Sequence, residues 1–187
     1  MRIIRGKYKG RRLPVPTHFK ARPTTDFAKE GLFNILENVY VDFDSIGKAL
    51  DLFAGTGSIG LELASRGCGK VISVEKDFRH WQYLMQVQKE LQAQEWVPLK
   101  GDVFKYVRMC HERMSKEGAT TDAPFDLVFA DPPYALETLR ELPDLVLPIL
   151  APNGLFVLEH GKRDDFSSHP RLIDHRVYGS VNFSFFK

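Results

Sequence analysis

Asp131, Pro132, Pro133 and Tyr134 follow directly on the apolar run 125–130, bringing an acid, two ring-locked residues and an aromatic to one place. Both prolines hold φ near about −65° and lack an N–H, so the chain leaves a buried strand stiff and extended, with carbonyls left to other partners. A carboxylate and a carbonyl are two acceptors, enough for the two N–H bonds of one exocyclic amine. On this reading Asp131 and the Pro132 carbonyl act on the amine, while Pro133 and Tyr134 form the wall on which a planar base lies. The same four residues also suit a plain loop whose Asp caps a helix and whose Tyr packs on the surface.

Upstream, Gly55-Thr56-Gly57-Ser58-Ile59-Gly60 matches G-x-G-x-x-G between an expected strand and an expected helix. Glycines there permit close backbone approach to a ligand and a tight turn into the helix. Glu75 closes the following strand, where a carboxylate reaches the vicinal hydroxyls of a ribose. These features suit a nicotinamide enzyme and a methyltransferase equally. Asp51 separates them, because a carboxylate just ahead of the loop would repel a pyrophosphate and attract the ammonium of a methionine-like ligand. Asp102, ending the third strand, can accept from an adenine amine beside the Val103 N–H, or cap the next helix. The cofactor expected is therefore S-adenosylmethionine. Its residues are Asp51, Phe53, Ala54, Gly55, Thr56, Gly57 and Gly60 in the loop, Glu75 and Lys76 after the second strand, Asp102 and Val103 after the third, and Asp131. Thr24, ahead of the first helix, joins them.

The elements that must position these residues follow from periodicity. Ala28, Leu32, Ile35, Leu36 and Val39 recur at helical spacing. Strands are expected at 49–53, 71–75, up to 101–102, 125–130 and 155–159. Between them, helical faces fall on Trp81, Leu84, Met85, Gln88 and Leu91, on Val103, Val107, Cys110 and Met114, and on Leu139, Leu142, Val146, Ile149 and Leu150. The stretch from Glu112 to Pro124 reads as loop. Alternation of this kind predicts a parallel sheet covered on both faces. The runs 171–177 and 180–186, separated only by Tyr178-Gly179, predict an antiparallel C-terminal hairpin.

At 187 residues the chain suits one domain with a substantial core. Its net charge of +2 conceals an asymmetry: eight bases precede the first acid, Asp26, and the remainder carries −6. Arg2, Arg5, Lys7, Lys9, Arg11, Arg12 and Arg22 are thus candidates for contact with a polyanion. Gly6 and Gly10 flank a turn between two short strand-like pieces, predicting a basic β-hairpin arm over 1–25 before a catalytic domain over 26–187. Arg22, like Thr24, lies between arm and body and is a candidate to touch both cofactor and substrate, or to serve as turn and cap. Cys68 and Cys110 show no paired spacing, no Cys or His stands at metal-ligand spacing, and there is neither a leader-like start nor a membrane-length apolar run. The expectation is a cytoplasmic, metal-free protein.

The loop Asp51-Leu52-Phe53-Ala54-Gly55-Thr56-Gly57 together with Asp131-Pro132-Pro133-Tyr134 resembles the class I amino-methyltransferases. The opening residues 1–10, Arg22-Pro23-Thr24-Thr25-Asp26, Leu32-Phe33-Asn34-Ile35-Leu36, Ser65-Arg66-Gly67 and Tyr178-Gly179 resemble, more narrowly, the bacterial RsmD-type enzymes. Lys29-Glu30 stands where that family more usually has Arg-Glu, and Glu90-Leu91 where Asn-Leu is common. The resemblance implies a Rossmann-like α/β methyltransferase fold with a seven-stranded, mostly parallel sheet. It also implies methylation of the exocyclic N2 of a guanine in small-subunit (16S) ribosomal RNA, within a ribosomal subunit or an assembly intermediate, and so compact a chain is expected to act as a monomer. A DNA adenine-N6 methyltransferase is the nearest alternative, since the clamp suits an adenine amine too, but the chain has no separate target-recognition domain. Glutamine-methylating enzymes usually carry Asn-Pro-Pro-Tyr. A nicotinamide oxidoreductase needs a hydride-path acid or base, and a non-catalytic RNA-binding module leaves loop and clamp unexplained.

Overall fold

A computed structural model describes residues 1–16, 19, 26–116 and 122–187. Thr24 and Arg22, with the Arg-Pro-Thr-Thr segment, lie outside the described residues. Seven strands form one sheet: β1 (Lys48–Leu52), β2 (Lys70–Glu75), β3 (Trp96–Lys100), β4 (Phe125–Ala130), β5 (Leu150–His160), β6 (Leu172–Tyr178) and β7 (Val181–Phe186), in the order β3-β2-β1-β4-β5-β7-β6. The first five are parallel, and β7 runs antiparallel to both β5 and β6. Helices α1 (Asp26–Ile35), α2 (Ser58–Ser65), α3 (Phe78–Leu91), α4 (Val103–Met114) and α5 (Leu142–Val146) cover the sheet, with a π turn after α1 and short 3₁₀ turns at Phe43–Ser45 and on either side of α5. The seven-stranded Rossmann-like sheet and its C-terminal hairpin are as the sequence predicts.

Each face of the sheet carries its own core. Leu32, Leu61, Leu84 and Phe183 belong to one; Leu50, Val107, Leu142 and Phe156 belong to the other. Strand β7, buried along its whole length, feeds both, with Phe183 and Phe185 on one side and Phe186 on the other. Strand order reverses between β1 and β4, and a crevice opens at such a point beyond the carboxyl ends of the strands. Asp51, Glu75, Asp131 and Glu159 all sit at or next to those ends.

Three expected faces shift. Helix α1 closes at Ile35 and passes into a wider π turn over Leu36–Tyr40, whose extra residue per turn rotates Val39 outward to 60% exposure. On α3 the buried face is Tyr83, Leu84, Val87 and Leu91, while Met85 faces solvent. Helix α4 continues to Met114, so the expected loop from Glu112 starts three residues late, and Met114 is exposed where Tyr106 is buried. Among the described residues no helix is long and apolar enough to cross a membrane, and no group of His, Cys, Asp or Glu is arranged for a metal ion.

The first sixteen residues double back on themselves, with Arg2 opposite Arg12 in antiparallel register, and they seal one core rather than standing free. Ile3, Tyr8 and Leu13 are buried in it. The Glu62 carboxylate, inside α2, accepts from the Ile4 and Arg5 N–H groups at 2.8 and 2.9 Å, and the Lys7 N–H donates to the Ser65 carbonyl at 2.7 Å. Lys29, buried on α1, donates to the Arg2 carbonyl at 2.9 Å and pairs with Glu62 at 3.1 Å, while the Arg66 guanidinium pairs with Glu62 at 3.0 Å.

Candidate active site

The glycine loop is built by steric necessity. Gly57 caps α2 at φ 73°, and a Cβ there would lie 2.7 Å from both Leu84 and the Trp96 ring. A Cβ on Gly60 would fall 2.1 Å from the Ser73 hydroxyl. That closeness draws the first turn of α2 down onto Asp51, whose Oδ2 accepts from the Gly60 N–H at 3.0 Å and from Ser73 Oγ at 2.9 Å. Ser73 in turn accepts from the Trp96 indole at 2.8 Å. Phe53 takes the left-handed conformation at φ 62°, which turns the chain sharply out of β1. Burial pushes the Asp51 carboxyl up to about 7, and the nearby Asp131 and Glu75 add to the shift.

Glu75 fixes both turns around it: its two oxygens accept from the N–H groups of Gly55 at 2.8 Å and Asp77 at 2.7 Å. Asp102 caps α4 through the Lys105 N–H at 3.2 Å and also pairs with Lys76 at 3.1 Å. The hydrogen bond from Lys76 holds the Asp102 carboxyl below the usual carboxylate range. Asp131 leaves β4 with its N–H toward the Leu52 carbonyl at 3.4 Å. Burial pushes this carboxyl too up to about 7. The Pro133 carbonyl accepts from Leu136 N–H at 2.9 Å, whereas the Pro132 carbonyl accepts no hydrogen bond from any described residue. Tyr134 is 68% exposed beside Gly161.

These residues surround one cavity of about 1030 Å³, and Asp51, Phe53, Ala54, Gly55, Thr56, Glu75, Lys76, Asp102, Val103, Asp131, Pro132, Pro133 and Tyr134 all line it. Gly57 and Gly60 do not; they shape the wall from behind. The donor set fits S-adenosylmethionine: several carboxylates face a ligand that is cationic at one end and rich in N–H and O–H donors at the other, a lining that would repel a pyrophosphate. Arg2, Arg5, Lys7, Lys9, Arg11 and Arg12 are absent from the lining. Arg2 pairs with Glu30 at 2.7 Å, Arg5 with Glu37 at 2.5 Å and Lys7 with Glu95 at 3.2 Å. Lys9, Arg11 and Arg12 are exposed and make no ion pair with a described residue.

Several lining residues went unforeseen, among them Ser58, Phe78, His80, Phe104, Phe129 and Glu159. Ser58 receives the Lys29 ammonium at 3.0 Å, and His80 stacks on Phe19 with ring centroids 4.0 Å apart. Glu159 carries a signal readable in retrospect, because it ends the fifth apolar strand as Asp131 ends the fourth.

The family model described as "Conserved hypothetical protein 95" matches residues 1–187, the whole chain. Ribosomal RNA small subunit methyltransferase D of Haemophilus influenzae is 32% identical over 164 residues, covering 87% of this chain and 79% of that protein. The protein of the same name from Escherichia coli K12 is 34% identical over 146 residues, covering 78% and 66%. Among solved structures, a hypothetical protein of Thermus thermophilus superposes with a TM-score of 0.83 at 27% identity, covering 100% of this chain and 99% of that one.

Proposed function

This chain belongs to the RsmD family of methyltransferases, and from that premise we propose that it methylates the exocyclic N2 amine of a guanine in 16S ribosomal RNA. Membership makes it an S-adenosylmethionine-dependent rRNA methyltransferase; the guanine, the N2 position and a monomer acting on a small subunit or its assembly intermediate are our reading. The observation that carries it is the Asp131–Tyr134 clamp lining the cavity, with a half-buried carboxyl next to a proline carbonyl that no described residue occupies.

S-adenosylmethionine supplies a methyl group on a sulfonium and leaves as S-adenosylhomocysteine. Asp51 would hold its ammonium end, Glu75 the ribose hydroxyls, and Asp102 with the Val103 N–H the adenine. The clamp does the work on the substrate. A guanine amine is a weak nucleophile because its lone pair is delocalised into the ring. Two acceptors, Asp131 and the Pro132 carbonyl, take its N–H bonds, favour a pyramidal nitrogen and leave the lone pair facing the cavity. Positioning of this kind contributes several kcal/mol, and acceptors aimed at developing positive charge contribute more. Tyr134 stacks on the base, worth about 1–3 kcal/mol, and a paired target must first be flipped out at a cost of a few kcal/mol. Once methylated, the nitrogen sheds a proton, and Asp131, with its carboxyl near 7, is placed to receive it.

Single-turnover methyl transfer by Asp131→Ala tests the clamp. A loss of about 10²–10³-fold is expected from removing one such acceptor, read at saturating S-adenosylmethionine because Asp131 also borders the expected cofactor site. Near wild-type turnover would overturn the assignment.

A further inference from the structure

The Asp131–Tyr134 clamp does not by itself distinguish guanine from adenine, because each base offers an exocyclic amine with two N–H bonds. The structure supplies a second acceptor next to it. Ala130 and Leu158 are register partners in the parallel β4–β5 pair, as are Phe129 and Val157. Asp131 and Glu159 are each one residue further on. Side chains alternate between faces along a strand, and register partners in neighbouring strands lie about 4.8 Å apart. The two carboxylates therefore leave the sheet side by side on the face of Phe129 and Val157. Both line the same cavity with Pro132 and Tyr134. Glu159 is 3% exposed and is held on its other side by the β7 pairing to Phe183, so its backbone is fixed from both strands. No cofactor role uses it.

In both purines the ring nitrogen N1 neighbours the amine that would be methylated. In guanine N1 carries a hydrogen; in adenine it carries a lone pair. An ionised carboxylate beside the clamp reads that difference, because in that form it only accepts. Its two oxygens offer about four acceptor positions, so a protein contact leaves room for a base. We propose that Glu159 is the specificity-determining residue, accepting the N1–H of the target guanine and rejecting adenine, whose N1 lone pair would face it. This rests on the guanine reading above. A site built to hydrogen-bond an N–H rejects the analogue lacking it by up to about 10⁴–10⁵-fold.

The test uses the full-length protein with ribosomal RNA, naked and assembled into small-subunit particles, in which the target carries guanine, 2-aminopurine or adenine. 2-Aminopurine keeps the N2 amine but has a lone pair at N1. Single-turnover rates are measured for wild type and Glu159→Gln, with calorimetric affinity for S-adenosylmethionine and the thermal midpoint alongside. Wild type should favour guanine over 2-aminopurine by at least about 10³-fold. Glu159→Gln, whose amide can turn its NH₂ toward a lone pair, should narrow that ratio at least tenfold and leave cofactor affinity within about twofold. An unchanged ratio in the variant, or a wild type that methylates 2-aminopurine as fast as guanine, overturns the proposal, and the second result does not depend on the variant folding. A variant that loses cofactor affinity also overturns it, by making Glu159 part of the cofactor site. A wild type yielding no N2-methylguanosine from any guanine substrate defeats the guanine reading itself.

Discussion

Two carboxyls, the buried Asp51 and the half-buried Asp131, are each pushed up to about 7 by desolvation, and each carries a different consequence. The carboxylate form of Asp131 is the stronger acceptor for an amine N–H and the form able to take up the released proton, so the methyl-transfer rate should rise with pH through about 7 and level off above it, as a rate–pH profile on saturating RNA would show. A flat profile from pH 5.5 to 8.5 would mean that Asp131 does not hold the amine in its charged form. Asp51 bears on stability. Its folded value lies above the 3.8 of an unperturbed aspartate, so the folded state binds the proton more tightly. The resulting stabilisation is complete below about 3.8 and is lost as pH rises through about 7. Asp51→Asn keeps an acceptor for Gly60 and Ser73 but removes the buried charge. Its thermal midpoint should therefore exceed that of wild type by more at pH 8 than at pH 5, at about 2–4 °C per kcal/mol, while affinity for S-adenosylmethionine falls.

Helices α1 and α2 are tied to the N-terminal residues through Lys29, Glu62 and Arg66, a buried set whose ammonium is pushed down by burial and pulled back up by Glu62. Removing Lys29 takes one charged partner from Glu62, which keeps Arg66 and the Ile4 and Arg5 N–H groups, so Lys29→Met should cost about 1.5–3 kcal/mol in urea unfolding. A loss under 1 kcal/mol would show that the set does not carry the junction. The alternation of apolar strands with helical faces and the Gly55–Gly60 loop were legible because period and turn chemistry are local. Asp51, Glu75 and Asp131 were legible as candidates that the fold brings to one cavity because each stands at or next to a strand end. What the sequence hid depends on distant partners. Asp51 is bridged to Ser73 across 22 residues, and Tyr8 reaches Glu95 across 87. Lys29 looks like a surface residue until α1 packs against α2. Val39 looked buried because a π turn leaves no mark on hydrophobic spacing, and Glu159 looked like an ordinary strand terminus until its register placed it beside Asp131.

At the scale of the whole molecule, the basic N-terminal segment divides its charges. Arg2, Arg5 and Lys7 are engaged in ion pairs to the body, and we propose the exposed Lys9, Arg11 and Arg12 as the phosphate contacts. Replacing these three with alanine should weaken RNA binding and reduce the slope of log affinity against log salt by about 2–3, with affinity for S-adenosylmethionine unchanged. An unaltered slope would place the RNA elsewhere on the surface. The same carboxyl edge of the sheet gathers Asp51, Glu75, Asp102, the Asp131–Tyr134 segment and Glu159 into one cavity, so the nucleoside produced is the decisive readout of the proposal. The protein is incubated with labelled S-adenosylmethionine and, separately, with naked 16S rRNA, small-subunit particles lacking the modification, and DNA, and the products are digested to nucleosides. Label in N2-methylguanosine from the ribosomal substrates is the predicted result; label in N6-methyladenosine would contradict it.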